Sequence, residues 1–158
     1  MIKEEEAGAM ILDQGHAAMS LLLVEDNPAD VRLMQEALKT SRARYRFLVV
    51  NDGEDAMTFL RRSDNYADMP VPDVILLDLN LPRKDGREVL SEVKRDEKLR
   101  HIPIIVLTMS ESSDDIIRCY VDHANCFITK PIDLDKFDEI VRLIETFWFM
   151  TVKLPRKA

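Results

Sequence analysis

Five short apolar runs divide the chain into regular intervals. They cover residues 21–24, 47–50, 74–77, 104–107 and 126–129. The runs are largely continuous and do not alternate with polar residues. Such runs predict strands that are buried on both faces, as in a parallel sheet.

The intervals between the runs carry helical patterns. After the first run, Asn27 is suited to cap a helix and Pro28 to its first position, and Val31, Met34 and Leu38 then recur at helical spacing. A comparable pattern follows each of the other four runs. Alternating strands and helices of this length predict an α/β fold, with a five-stranded parallel sheet and helices on both faces.

The length and the pattern predict one folded domain with two short appendages. The chain has 158 residues, which is ordinary for a single domain. Residues 1–19 are predicted to be a flexible N-terminal extension, residues 20–150 the folded domain, and residues 151–158 a C-terminal tail.

Composition excludes several classes of function. The net charge of −7, with 29 acidic against 22 basic side chains, argues against a nucleic-acid partner. The chain has no apolar run long enough to span a membrane and no signal peptide, which predicts a cytoplasmic protein without a membrane partner. Cys119 and Cys126 are therefore interpreted as free thiols, and no CxxC spacing suggests a zinc site.

Polar side chains stand at the ends of four of the predicted strands. Glu25 and Asp26 follow the first run, Asp78 the third and Lys130 the fifth, and Thr108 follows the fourth. Because ligands bind beyond the carboxyl ends of parallel strands, we expect these side chains to converge on one edge of the sheet.

The charges of this group predict a metal-assisted phosphoryl transfer. Three carboxylates close together are unfavourable, and Lys130 balances only one of them, so a divalent cation is expected. Oxygen ligands with room for water suit Mg²⁺. Asp78 could then attack phosphorus as a nucleophile, while Mg²⁺ and Lys130 neutralise the transferring oxygens and Thr108 donates a hydrogen bond.

The same segments resemble the response-regulator receiver domains of two-component signalling. The matching segments are residues 22–28, 76–86, 106–108 and 129–131, in the family's order. The resemblance covers about residues 21–149, and it implies that residues 20–150 form a receiver domain with the (βα)5 flavodoxin-like fold.

The resemblance also implies a role for each site residue. Asp78 accepts the phosphoryl group from a kinase phosphohistidine, and Lys130 contacts that group. Asp26 and Asp78 bind Mg²⁺ together with the backbone carbonyl of Asn80, while Glu25 acts mainly through water.

The resemblance further assigns the switching positions. Thr108 is the hydroxyl that reports phosphorylation, and Phe127 occupies the aromatic switch position. The bond between Lys130 and Pro131 is one that usually adopts the cis form in such domains.

The implied protein is a single-domain phosphoacceptor switch that catalyses its own phosphorylation and dephosphorylation and is not an enzyme in the ordinary sense. More narrowly, the chain resembles the single-domain regulators that serve bacterial phytochromes and related histidine kinases. The resemblance therefore implies a sensor histidine kinase of the phytochrome type as partner.

Aromatic residues near the C-terminus predict a contact surface. Phe147, Trp148 and Phe149 are consecutive, and helix residues about 100° apart cannot all face one side. At least one ring is expected to stay exposed with Met150 nearby, which predicts a homodimer through this face. Alternatively, this surface binds the kinase.

Three other functions share features with this pattern. A nucleotide binder would need a glycine-rich phosphate loop, and Gly8, Gly15, Gly53 and Gly86 form none. A phosphatase with an aspartate nucleophile would typically carry a second Asp where Asn80 stands. A pseudo-receiver, which binds partners without being phosphorylated, is the remaining alternative.

Overall fold

The computed structural model describes residues 2–6, 9–13, 19–41 and 45–155, with the first two ranges described by their backbone alone. In these residues the strands are β1 (Ile2–Glu6), β2 (Ala9–Asp13), β3 (Met19–Val24), β4 (Tyr45–Val50), β5 (Val74–Leu77), β6 (Ile104–Thr108) and β7 (Cys126–Thr129). The α-helices are α1 (Pro28–Lys39), α2 (Gly53–Leu60), α3 (Gly86–Arg95), α4 (Ser113–Val121) and α5 (Leu134–Ile144).

Five of the strands form a parallel sheet in the order β4-β3-β5-β6-β7. Val24 of β3 lies beside Leu77 of β5, and Leu77 lies beside Val106 of β6, so the strands end at nearly the same level. The predicted fold, a five-stranded parallel sheet with helices on both faces, is confirmed.

The sheet separates two apolar layers. Alternate residues of each strand point to opposite faces, so Leu22 and Val24 pack with α2, α3 and α4, whereas Leu21 and Leu23 pack with α1 and α5. The core strands β3 and β5 are therefore buried on both faces, which explains their continuous apolar sequences.

Each α-helix begins at a side chain that accepts a hydrogen bond from the helix backbone. The caps are Asn27, Asp52, Asp85, Ser112 and Asp133. These caps satisfy backbone N–H groups that have no partner within the helix, and they fix where each helix leaves its loop. In the described part of the chain, no helix is both long and apolar enough to cross a membrane.

The N-terminal segment differs from its prediction. The sequence predicts a flexible extension over residues 1–19, but β1 and β2 lie within it, and β2 pairs antiparallel with β4. The physical reason is that β4 would otherwise end the sheet with unpaired backbone groups, which a neighbouring strand can satisfy. Met19 already belongs to β3, so the first parallel strand begins one residue before the predicted domain boundary.

A wider helical turn follows α5 and extends to Thr151. Over Glu145–Thr151 the backbone is π-helical, and the Val152 N–H donates to the Phe147 carbonyl five residues earlier, at 2.9 Å. Hydrogen bonding five residues back, where an α-helix bonds four residues back, widens the turn and changes which aromatic rings face the core. Trp148 and Phe149 pack against the α1 and α5 layer, and the ring of Phe149 stacks on Tyr45.

A charged contact joins the end of α5 to the end of α1. The Arg142 guanidinium donates to the Ala37 carbonyl at 2.5 Å, to the Thr40 hydroxyl, and to Glu145 at 2.9 Å. Glu145 is buried, and its second carboxylate oxygen has no hydrogen-bond partner. Arg142 therefore compensates a carboxylate that water does not reach.

Removing Arg142 should destabilise the fold strongly. We expect Arg142→Ala to lower the free energy of unfolding by about 3 kcal/mol, because it leaves the buried Glu145 charge unpaired. Urea unfolding measures the change, with Arg118→Ala on the exposed side of α4 as the matched control. Adding Glu145→Gln to Arg142→Ala should recover part of the loss. An Arg142→Ala protein as stable as the control would contradict this role.

Candidate functional site

The predicted site residues lie at one edge of the parallel sheet. Glu25 follows β3, and its N–H donates to the Val50 carbonyl at 3.0 Å. Asp78 follows β5, and its N–H donates to the Val24 carbonyl at 3.0 Å. The ladder of backbone hydrogen bonds thus continues past the strand ends and holds both acids in register.

Lys130 connects these acids through its side chain. Its ammonium donates to Glu25, to Asp30 at 2.9 Å and to Asp78 at 3.1 Å. The Lys130 side chain is only 5% exposed, and Glu25 and Asp78 are buried as well. All three ammonium protons therefore have a carboxylate acceptor, in surroundings where an unpaired charge would be costly.

Three carboxylates form a group that could hold a metal ion. One oxygen from each of Glu25, Asp26 and Asp78 lies within 4.8 Å of the others. Asp26 is exposed, whereas the other two are buried, so the group opens to solvent on the side of Asp26. Hard oxygen donors with access for water fit Mg²⁺ or Mn²⁺.

The pKa values of Glu25 and Lys130 reflect their burial and their mutual contact. Burial raises the pKa of Glu25 to about 7, although the hydrogen bond and charge of Lys130 oppose this shift. Burial alone would lower the pKa of Lys130, but the hydrogen bonds of Glu25 and Asp30 and the charge of Asp78 outweigh it and raise that pKa. Lys130 therefore stays charged, and the group has room for further positive charge.

The loop after β5 folds closely over Asp78. The Asn80 N–H donates to an Asp78 carboxylate oxygen at 3.3 Å, and the Gly86 N–H donates to the Leu79 carbonyl at 2.9 Å. A Cβ atom on Gly86 would lie 2.1 Å from the Asp78 carbonyl oxygen. Glycine is thus required at this position for the loop to approach the backbone of Asp78.

Thr108 is buried at the end of β6, beside a loop held by charge. The Ser110 N–H donates to the Thr108 hydroxyl oxygen at 3.5 Å, and the Ser110 hydroxyl donates to Asp115 at 2.6 Å. Arg87 donates two hydrogen bonds of 2.7 Å to Asp115, and these bonds and that of Ser110 hold the pKa of Asp115 at about 2. Met109 is exposed.

Lys130 follows β7, which lies at the edge of the sheet and contacts α4. The Lys130 N–H donates to the Thr108 carbonyl at 2.8 Å, which brings these two residues together at the strand ends. Phe127 is half-buried, and its N–H donates to the Tyr120 hydroxyl oxygen at 3.2 Å. Among the described residues no peptide bond is cis, so the form implied for Lys130 and Pro131 is not present. For a peptide bond before proline, the trans form is slightly lower in free energy than the cis form.

The three aromatic residues near the C-terminus differ in their exposure to solvent. Phe147 is 52% exposed, whereas Trp148 and Phe149 are half-buried against the core. The π-helical turn accounts for this difference in exposure. Because such a turn holds more residues than an α-helical turn, consecutive side chains are separated by a smaller angle and two neighbouring rings can face inward. The surface at this end of the chain is therefore formed by Phe147 with Met150.

Asp30 is the residue that the sequence did not single out. It is the third residue of α1, where an acid ordinarily stabilises the positive end of the helix. Its position four residues after Asp26 was the available signal. Its contact with Lys130 depends on how α1 crosses the strand ends, which the pattern of apolar residues does not specify.

Comparison with known proteins agrees with this arrangement. The sequence model of the response regulator receiver domain family matches residues 21–142. The chain is 48% identical to the response regulator Rcp1 of Synechocystis sp. over 143 residues, which is 90% of this chain and 97% of Rcp1.

Solved structures extend the similarity to the backbone. A crystal structure of the Mn²⁺-bound form of Rcp1 has a TM-score of 0.84 and covers 87% of this chain and 99% of its own. The phosphorylated cyanobacterial phytochrome response regulator RcpA has a TM-score of 0.86 at 50% identity and covers 89% of this chain and 100% of its own.

Metal affinity should depend on Asp26. We expect Asp26→Asn to weaken Mg²⁺ binding by about tenfold or more, because loss of a charged ligand costs more than about 1.4 kcal/mol. Isothermal calorimetry of the metal-free protein measures this affinity, and Asp68→Asn, on an exposed loop, is the control. Equal Mg²⁺ affinity in the Asp26→Asn and wild-type proteins would remove Asp26 from the metal site.

Proposed function

Because the chain belongs to the response regulator receiver domain family, we propose that Asp78 accepts a phosphoryl group from the phosphohistidine of a sensor histidine kinase. The observation that carries this assignment is the contact of Asp78 with Lys130. One carboxylate oxygen of Asp78 lies 3.1 Å from the Lys130 ammonium, and the other accepts the Asn80 N–H. A nucleophile held at both oxygens is fixed for attack at phosphorus.

The transfer balances in a single displacement. An Asp78 carboxylate oxygen bonds to phosphorus while the phosphorus–nitrogen bond of the phosphohistidine breaks, and the histidine nitrogen leaves with the bonding electron pair. The Lys130 ammonium then has a phosphoryl oxygen as acceptor and neutralises part of its charge. Thr108 moves to donate a hydrogen bond to a phosphoryl oxygen from the neighbouring strand end. Phe127 on β7 then responds to the movement of Thr108.

The carboxylates supply the place for a cation. Glu25, Asp26 and Asp78, with the Asn80 carbonyl, would hold Mg²⁺, which supplies positive charge for the transferring oxygens. The oxygen donor set supports this choice, and the Mn²⁺-bound structure of Rcp1 is consistent with it. With these groups the protein would catalyse its own phosphorylation and, with water as nucleophile, its own dephosphorylation.

Phosphorylation should require Asp78. Incubation with acetyl phosphate and Mg²⁺ should add one phosphoryl group to the wild-type protein, as intact mass measures it, and none to Asp78→Asn, which keeps the shape but lacks the nucleophile. Asp68→Asn should be labelled like the wild type. Labelling of Asp78→Asn at the wild-type rate would contradict the assignment. A wild-type protein that takes no phosphoryl group under any of these conditions would favour the pseudo-receiver alternative.

The kinase partner is proposed to be a phytochrome. RcpA is described as a phytochrome response regulator, and this chain is 50% identical to it over nearly its whole length. The free thiols of Cys119 and Cys126 suit the reducing cytoplasm, where we place the transfer. The chain would act there as a single-domain regulator whose surface changes on phosphorylation.

The protein is further proposed to form a homodimer through the face near α5. Leu143, Phe147 and Met150 are 70%, 52% and 62% exposed, and they follow one another at spacings of four and three residues. All three are exposed near the end of the chain, and they form an apolar stripe that a second copy of the chain could cover.

Dimerisation should therefore depend on Phe147 more than on Trp148. We expect sedimentation at micromolar concentration to give a dimer in the wild type and a weaker one in Phe147→Ala, because that ring is exposed. Ile117→Ala, which truncates an exposed residue of α4, is the control and should leave the dimer unchanged. A wild-type protein that stays monomeric with and without beryllofluoride would contradict the dimer and favour the kinase as occupant of the stripe.

A further inference from the structure

The ammonium of Lys130 has one acceptor that belongs to neither the metal group nor the proposed phosphoacceptor. That acceptor is Asp30, whose carboxylate lies 2.9 Å from the Lys130 nitrogen. Glu25 and Asp78 both take part in the group that could hold a metal ion, and Asp30 does not. Asp30 is thus the one partner of Lys130 that lies outside the group that could hold a metal ion.

The position of Asp30 is fixed by the helix that carries it. Asn27 caps α1 by accepting the Ala29 N–H at 2.9 Å, and Val31 and Met34 bury the helix against the sheet. The Asp30 side chain is 25% exposed, so it lies at the rim of the site between solvent and the buried Lys130. A rigid first turn therefore holds a carboxylate over the ammonium.

The flexible side chain of Lys130 needs such a fixed partner. When Asp78 carries a phosphoryl group and Glu25 faces a cation, two of the three acceptors of the ammonium are altered. A lysine side chain has four rotatable bonds and loses much conformational freedom when it is held in one place. A partner that stays constant through the reaction reduces the freedom that has to be lost when the phosphoryl group arrives.

We propose that Asp30 is a positioning residue, which holds the Lys130 ammonium at the place where the phosphoryl oxygens arrive. This inference rests on the proposed function of Asp78 and Lys130. The proposal assigns Asp30 no bond to the metal ion and no contact with the phosphoryl group. Positioning of Lys130 differs from stabilisation of the positive end of the helix, which any acid in the first turn can provide.

Beryllofluoride tests the proposal, because it mimics the phosphoryl group on Asp78 without a chemical step. At saturating Mg²⁺, we expect Asp30→Ala to weaken beryllofluoride binding about tenfold, since a hydrogen bond between two charged groups is lost. Asp30→Asn keeps an acceptor oxygen without the charge and should give an intermediate loss. Glu88→Ala removes the exposed acid at the third position of α3 and should bind beryllofluoride like the wild type.

Other results would overturn the proposal. A beryllofluoride affinity of Asp30→Ala equal to or above that of the wild type would mean that Asp30 acts through repulsion of the anion or not at all. A loss of Mg²⁺ affinity as large as that of Asp26→Asn would make Asp30 part of the metal site. An equal loss in Asp30→Ala and Glu88→Ala would reduce its role to helix stability.

A second readout separates this proposal from the proposed function. In metal-free wild-type protein, the side-chain ¹⁵N ammonium signal of Lys130 should be visible by NMR, because its protons are held and exchange slowly, and Asp30→Ala should broaden it. An unchanged signal would contradict positioning by Asp30. A wild-type protein that binds no beryllofluoride while the signal responds as expected would instead reject the proposed function.

Discussion

The Lys130 ammonium is the contact on which the arrangement of this end of the molecule depends. It lies beyond β7, yet its three acceptors come from the end of β3, the first turn of α1 and the end of β5. Because the lysine is buried, each acceptor that it lost would leave an uncompensated charge. Three strand ends and one helix are thereby held in a single relative position, in addition to what apolar packing specifies.

Helix α1 extends this constraint toward the opposite end of the sheet. Its first turn carries Asp30, which contacts Lys130. At its other end the Ala37 carbonyl and Thr40, the residue after the helix, accept hydrogen bonds from Arg142 of α5. Between these two charged contacts, the helix buries Val31, Met34 and Leu38 against the sheet. A rigid helix with charged contacts at both ends thus connects the carboxylate group with the segment that carries the exposed C-terminal stripe.

The fold was predictable because its signals are local, and much of the site followed from it. Continuous apolar runs indicated buried parallel strands, and the convergence of Glu25, Asp78 and Lys130 follows from where those strands end. Other features depend on geometry that no local pattern encodes. The contact of Asp30 follows from the path of α1, the burial of Trp148 follows from a π-helical turn, and β2 pairs with β4 because a sheet edge has open hydrogen-bonding groups.

The excess of negative charge makes the site favour the binding of positive charge. Glu25, Asp30 and Asp78 contact one ammonium, and Asp26 adds a fourth carboxylate beside Glu25 and Asp78. Burial raises the pKa of Glu25 against the influence of Lys130. Neutralising this group by protonation or by a cation relieves the repulsion among its carboxylates. Because backbone hydrogen bonds hold Glu25 and Asp78 before any ligand arrives, a cation meets oxygen donors that need little rearrangement, and this preorganisation favours binding.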